Sequence, residues 1–279
     1  MLGVRILASG SSGNATYVRS RACHLLVDAG ISFKRLQKYL AEVGIGFERL
    51  DGILISHEHI DHVRGLPLIR KYFPAVPIFA TAGTAIGWRQ TYRWDIPFQP
   101  IRPFSDFCIN DLTVSTCLLS HDAVEPIGFR FSSAGYSVAL VTDLGTFTHE
   151  VVSCLTDCDL IVVEANHDEE MLWNGRYPLP LKRRISSETG HLSNRQAAAL
   201  VQRVLCSRTA EIVLAHVSQE NNDADLAKWS VLSTIGSSHK IRLTVASRFQ
   251  PTRLIVVGGT LRSPMGGAEL RLAQDEFSF

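Results

Sequence analysis

The chain has 279 residues, of which 46% are hydrophobic and 20% charged, and its net charge is +1. This is ordinary globular composition, and the overall balance does not announce a polyanionic partner. No apolar run approaches the ~20 residues of a membrane span, the N-terminal residues lack a signal-peptide pattern, and the six cysteines form no CxxC pair. A soluble, cytoplasmic protein with buried free thiols is therefore expected.

In chain order, residues 4–8, 16–19 and 24–27 read as strands, with a tight, glycine-permitted turn over 9–14. Ser32 is placed to cap a helix whose apolar stripe is Phe33, Leu36, Leu40 and Val43, with Gly44 as its stop. Residues 53–55 and 77–80 are further buried strands, with a helical pattern over 63–72. Strand character returns over 112–119, 127–131, 137–141 and 160–163. Ser193-Asn194-Arg195-Gln196 has the form of a capping box ahead of a helix over 197–205, leading into an apolar strand at 212–215. A helix over 223–232 and strands over 241–245 and 254–257 follow, and the tail 262–279 is expected to be largely loose. No repeat or linker divides the chain, so one domain over 1–279 is expected, with two packed sheets covered by helices on both outer faces.

The most informative stretch is Ser56-His57-Glu58-His59-Ile60-Asp61-His62, directly after the apolar Ile53-Leu54-Ile55. Three histidines and an aspartate at a strand end suit zinc, manganese or iron, and the chain has only 10 histidines in all. His121, Asp143 and His216 each follow an apolar strand as well. Ligands gathered from strand ends onto one rim are how a sheet scaffold builds a site.

With these residues in order, the chain resembles the metallo-β-lactamase superfamily over roughly residues 4–258. The resemblance implies a four-layer αββα fold of the α/β (α+β) class and two divalent metal ions, zinc or manganese, with iron also admissible. It places one metal on His57, His59 and His121 and the other on Asp61, His62 and His216, with Asp143 bridging. Asp28, in Leu-Val-Asp-Ala-Gly, is expected to orient the histidines rather than to ligate. Two metals about 3.5–4 Å apart generate a hydroxide nucleophile and clamp a phosphoryl or carbonyl oxygen.

The substrate must be read from the rest of the site. His191, just before the capped helix, is positioned to contact phosphate or to protonate a leaving alkoxide, because a helix N-terminus favours an anion. The segment 182–208 carries six basic residues against one acid, Glu188, a local charge of +5 that points to a polyanion near His191. The phrases containing Ser12 and Asn14, His167, His191-Leu192-Ser193-Asn194 and His216 look like those of the YycJ-like branch, which implies a DNA exonuclease-type phosphodiesterase. Asp61 and His191 are then expected to carry the chemistry, with Ser12, Asn14, His167, Ser193 and Asn194 in supporting or substrate-binding roles. DNA is the expected partner, with no membrane. Trp88-Arg89-Gln90-Thr91-Tyr92-Arg93-Trp94 suits either base stacking or an amphipathic helix. A glyoxalase II-type thioester hydrolase and a non-catalytic metal-binding protein are the competing readings. His24 is expected to be structural, and His149 and His239 exposed.

Overall fold

The computed structural model describes residues 1–236 and 241–258; the expectations for His239 and for the tail 262–279 lie outside them. Strands β1 (Leu2–Ala8), β2 (Ala15–Arg19), β3 (His24–Val27), β4 (Gly52–Leu54), β5 (Ile78–Thr81) and β6 (Gln99–Ile101) follow one another across the first sheet. Strands β7 (Asp106–Ile109), β8 (Leu112–Leu118), β9 (Ile127–Ser133), β10 (Tyr136–Val141), β11 (Leu160–Glu164), β12 (Glu211–Ala215) and β13 (Arg242–Val245) make the second, in the order β13-β12-β11-β10-β9-β8-β7. The last strand, β14 (Ile255–Val257), returns to the first sheet and pairs antiparallel with β1, Leu2 opposite Val257.

Each sheet is antiparallel in one half and parallel in the other. In the first, β3 to β6 run parallel; in the second, β10 to β13 do. Parallel strands need crossover helices, which cover the faces. Helix Phe33–Glu42, capped by the Ser32 hydroxyl, packs Leu36, Tyr39 and Leu40 on the outside of the first sheet together with Ile69 and Trp88. Val151, Leu155, Leu200, Val201 and Val231 cover the outside of the second. Between the sheets lie the alternate residues of both, among them Val4, Ile6, Val18, Phe129, Phe131, Val162 and Val213. Three apolar layers separate four structural ones, giving the expected αββα stack.

One local reading changes, and one that had two alternatives is decided. The helical pattern over 63–72 is broken into Ile60–Val63 and Leu66–Tyr72. Gly65 sits at the break because its N–H donates to Ala29 O at 2.7 Å, and a Cβ there would meet that oxygen at 2.9 Å. The aromatic segment near 88–94 belongs to helix Ala82–Tyr92: Trp88 is fully buried against Phe98, and Arg89 pairs with Asp95. Packing thus accounts for Trp88, which is unavailable for base stacking. Among the described residues no helix is long and apolar enough to cross a membrane. All six cysteines are unpaired, and Cys23, Cys117, Cys154 and Cys158 are buried.

Candidate metal centre

The side chains converge where the parallel strands of both sheets end. After β4, residues 55–59 leave the first sheet, and His59 precedes the short helix Ile60–Val63. Three chain segments cross there. Asn14 N donates to Asp61 O at 2.7 Å, and Gly30 N donates to Asn14 O at 2.8 Å. Gly30 makes the crossing possible, since a Cβ on it would lie 1.5 Å from Asp61 O. The second sheet contributes from separate strand ends: Asp143 after β10, Glu164 at the end of β11 and His216 after β12. Asp28, Asp143 and His216 all hold left-handed backbone, with φ of 60°, 63° and 53°. Such residues cost of order 1–3 kcal/mol each and persist where the surroundings over-determine them.

The imidazoles are oriented from behind. His62 Nδ1 meets Asp28 Oδ2 at 2.8 Å, and Asp28 also accepts from Ser56 N at 2.8 Å. His57 Nδ1 lies 3.0 Å from Ser56 Oγ, His121 Nδ1 lies 3.1 Å from Gly190 O, and His216 Nδ1 lies 2.8 Å from Glu164 Oε1. With Nδ1 engaged, Nε2 of each ring is turned to the common centre. His59 presents Nδ1 instead, 3.3 Å from His121 Nε2. Donor atoms of His57, His59 and His121 lie within 4.8 Å of one another, as do those of Asp61, His62 and His216. Asp143 stands between the groups: it is 3.3 Å from both His62 Nε2 and His216 Nε2, and it forms a third such cluster with His57 and His62.

These residues fit a metal. His57 Nε2, His216 Nε2 and Asp143 Oδ2 are buried and make no hydrogen bond, an arrangement that is costly for polar atoms left without a partner. The charges agree. Burial pushes the His57 imidazole well below its usual range, with His62 adding to the effect. Burial opposes charge on His62 too, but Asp28, Asp143 and Asp61 overcome it and hold that ring well above its usual range. Burial likewise opposes charge on His216, yet Asp143, Asp61 and Glu164 raise it to about 10. Carboxylates thus draw cationic charge into a buried cluster, which is the environment a divalent cation suits.

The sequence alone assigns Glu164 no role. It is fully buried; its Oε1 meets both His191 Nδ1 and His216 Nδ1 at 2.8 Å, and its Oε2 accepts from Leu144 N and Leu192 N, each at 3.1 Å. Burial works against its charge, but His191 and His216 bring its carboxyl down to about 2. The signal was present, because Glu164 ends an apolar strand as Asp143 and His216 follow theirs. His191 sits between the rings of His121 and His216, with centroids 5.2 and 5.1 Å away, and its Nδ1 is 3.8 Å from Asp143 Oδ1.

The other expected site residues divide. Asn14 reaches the centre, its Nδ2 2.9 Å from His62 Nε2. Ser12 lies in the adjoining turn; its carbonyl accepts from Arg64 and its hydroxyl is buried without a partner. His167 is 2% exposed, and burial pushes its pKa down to about 4. Ser193 and Asn194 are consumed internally. The Ser193 hydroxyl completes the capping box with Gln196 and donates to Glu169, while Asn194 and Asn222 exchange amide hydrogen bonds at 2.8 Å in both directions. Both residues are buried, at 1% and 2% exposure. The basic segment is also dispersed. Arg184 pairs with Asp122, beside His121, and Arg195 with Glu169. Arg203 is at the far end of helix Asn194–Val204, and Arg208 binds Asp159 at the opposite end of β11 from Glu164. The +5 count therefore overstates the charge at His191. His24 bonds Tyr17 at the start of β3, and His149 is exposed.

Residues 24–217 match the β-lactamase superfamily domain. The chain is 38% identical over 232 residues to exodeoxyribonuclease YycJ of Bacillus anthracis, covering 81% of this chain and 86% of that one. The chain belongs to the β-lactamase superfamily, in the branch that holds YycJ. Exodeoxyribonuclease WalJ of Streptococcus pneumoniae serotype 2 is 37% identical over 238 residues, 84% of this chain and 88% of its own. Among solved structures, the metallo-β-lactamase fold protein YhfI from Bacillus subtilis superimposes with a TM-score of 0.70 at 16% identity, over 90% of this chain and 98% of that one. The fold is thus that of metal-dependent hydrolases of this superfamily, with histidines and carboxylates positioned for metal binding.

Proposed function

We infer that this protein is a dinuclear metal-dependent phosphodiesterase that removes nucleotides from DNA ends. His57, His59 and His121 would hold one ion, Asp61, His62 and His216 the other, with Asp143 shared; zinc and manganese both suit these donors. Bound there, the ions would activate water and polarise a phosphoryl oxygen. The observation that carries the reading is the His191–Glu164 pair at 2.8 Å. Glu164 fixes the proton of His191 on Nδ1 when the ring is neutral, and His191 is partly exposed, 18% at its side chain. In its protonated form the ring keeps Nδ1–H on Glu164 and presents a second proton at Nε2, which can be donated to a phosphate oxygen or passed to the leaving oxygen as the P–O bond breaks, leaving the neutral ring. The names of the 37–38% identical relatives support a DNA substrate.

The test is cleavage of end-labelled single- and double-stranded DNA and RNA with added Mn²⁺ or Zn²⁺, beside S-lactoylglutathione and nitrocefin. Progressive shortening of DNA is expected. Faster turnover of the thioester than of any phosphodiester would reverse the assignment.

A further inference from the structure

A cavity of about 640 Å³ opens beside the His216 end of the metal centre, and nothing in the chemistry above uses it. Two of its wall residues, Ser9 and Val217, adjoin the backbone of His216: the Ser9 hydroxyl accepts from His216 N at 2.8 Å, and Val217 is the next residue in the chain. The outer wall carries Lys228, Ser247, Arg248 and Phe249, and no acidic residue lines it.

Arg248 is the unusual member. It lies across Gly10, where a Cβ would come within 3.2 Å of its Cγ and Nε. It donates to Ser11 Oγ at 2.6 Å and to the Gln219 side chain. Its Nε is buried with no hydrogen-bond partner, and no carboxylate forms an ion pair with it among the described residues. A guanidinium held only by neutral oxygens, with no carboxylate to neutralise it, is suited to an anion. Lys228 adds a second cation, its only ionic contact among the described residues being Asp225 at 3.6 Å. Phe249 is 62% exposed. Its position is fixed from below: Tyr39 donates to its carbonyl at 2.8 Å, Arg35 donates to Arg248 O at 2.8 Å, and the Arg35 guanidinium lies 5.9 Å from its ring. An exposed aromatic ring on an anchored backbone beside two cations combines the two elements of single-strand binding, charge for the backbone and a platform for a base.

We propose that this cavity binds the nucleotide next to the scissile bond, with its phosphate on Arg248 and Lys228 and its base on Phe249. The inference rests on the phosphodiesterase reading only for the class of ligand. It assigns the strand to a path from His191 across the metal centre and over the Ser9–Asn14 turn to the end of β13.

The test is equilibrium binding of a phosphorothioate hexathymidylate, which resists hydrolysis, to the protein with its metals in place. Phe249→Ala should weaken binding about 5- to 150-fold, the range for losing one base–aromatic stack. Lys228→Ala should weaken it and lower the slope of log affinity against log salt by about one. Arg248→Ala should weaken it at least as much, with Arg248→Lys recovering part of the loss. Arg203→Ala, on the far end of its helix, should bind as wild type. Should Arg248→Ala fail to fold, Lys228 and Phe249, whose side chains face solvent, decide the matter. Wild-type affinity in both of those variants overturns the proposal, as does failure of the unaltered protein to bind the oligonucleotide. If binding depends on these residues but DNA is not cleaved, the functional reading falls and the cavity stands; cleavage with unaffected binding has the opposite meaning.

Discussion

The first sheet delivers His57, His59, Asp61 and His62 from one continuous segment, the turn after β4 and the short helix Ile60–Val63, whereas the second delivers its side chains singly, His121 after β8 and Asp143, Glu164 and His216 from three adjacent parallel strand ends. That segment is held by backbone: its carbonyl at Asp61 is pinned by Asn14 N, and Gly30 leaves the space for that contact. The second set is held by register, with Val141 level with Val163, Val163 level with Leu214 and Glu164 level with Ala215. A site half-built on a crossing of loops should therefore fail abruptly when the crossing is disturbed. The half built on paired strands should lose function one side chain at a time.

The most severe test of that contrast is Gly30→Ala. Its Cβ cannot be accommodated 1.5 Å from Asp61 O, so the loop must move as a whole, and loss of bound metal together with a lowered melting temperature is expected. Elemental analysis and thermal unfolding would show it. A Gly30→Ala protein with full metal content would dissolve the distinction between the two halves.

Next in size is His191→Ala, which should retain its metal and lose about 10²–10⁴-fold in kcat, the usual worth of a general acid. Asp61→Ala should lose metal as well. Measuring kcat and metal stoichiometry on both variants separates the roles; equal loss of metal would make His191 a ligand.

Glu164→Gln keeps the shape of the side chain but removes the charge that both His191 and His216 face. Outer carboxylates of this kind typically contribute 10–100-fold to metal affinity or activity. A loss in that range, read by competition with a chelator, would show that the second sheet yields gradually. Loss of all metal would put Glu164 among the ligands.

The smallest effect is expected at Ser193→Ala. Its hydroxyl caps a helix rather than a substrate, so stability should fall by about 1 kcal/mol, roughly 2–4 °C in Tm, with kcat near that of the unaltered protein. A large fall in kcat at unchanged Tm would return Ser193 to the binding site.

The same contrast explains what was legible in the chain. Residues 57–62 announce themselves because three histidines and an aspartate lie within six positions. His121, Asp143 and His216 are each unremarkable alone and acquire meaning from a shared place after apolar strands. Glu164 obeyed the same rule and was missed, because a glutamate at a strand end is ordinarily solvated; only the convergence of His191 and His216 from distant segments explains its burial. The helices capped by Ser32 and Ser193 were readable from local capping chemistry. Charge was read least well. A run of basic residues in sequence becomes separate surface ion pairs when a helix carries Arg203 away and Arg208 turns to Asp159, and no one-dimensional count registers that.

The pairing of β1 with β14 also bears on how the chain is made. Strand β1 has β2 on one side, but its other edge is filled by residues 255–257, and Ile6 N and Arg5 Nε are met by Thr252. During synthesis the first sheet must stand with an open edge, running through Leu2, Val4 and Ile6, until almost the whole described chain has left the ribosome. Unpaired edges of this kind are templates for intermolecular pairing. The growing polypeptide is therefore most exposed to self-association before its final strand arrives, and closure of that seam is the step that completes the first sheet.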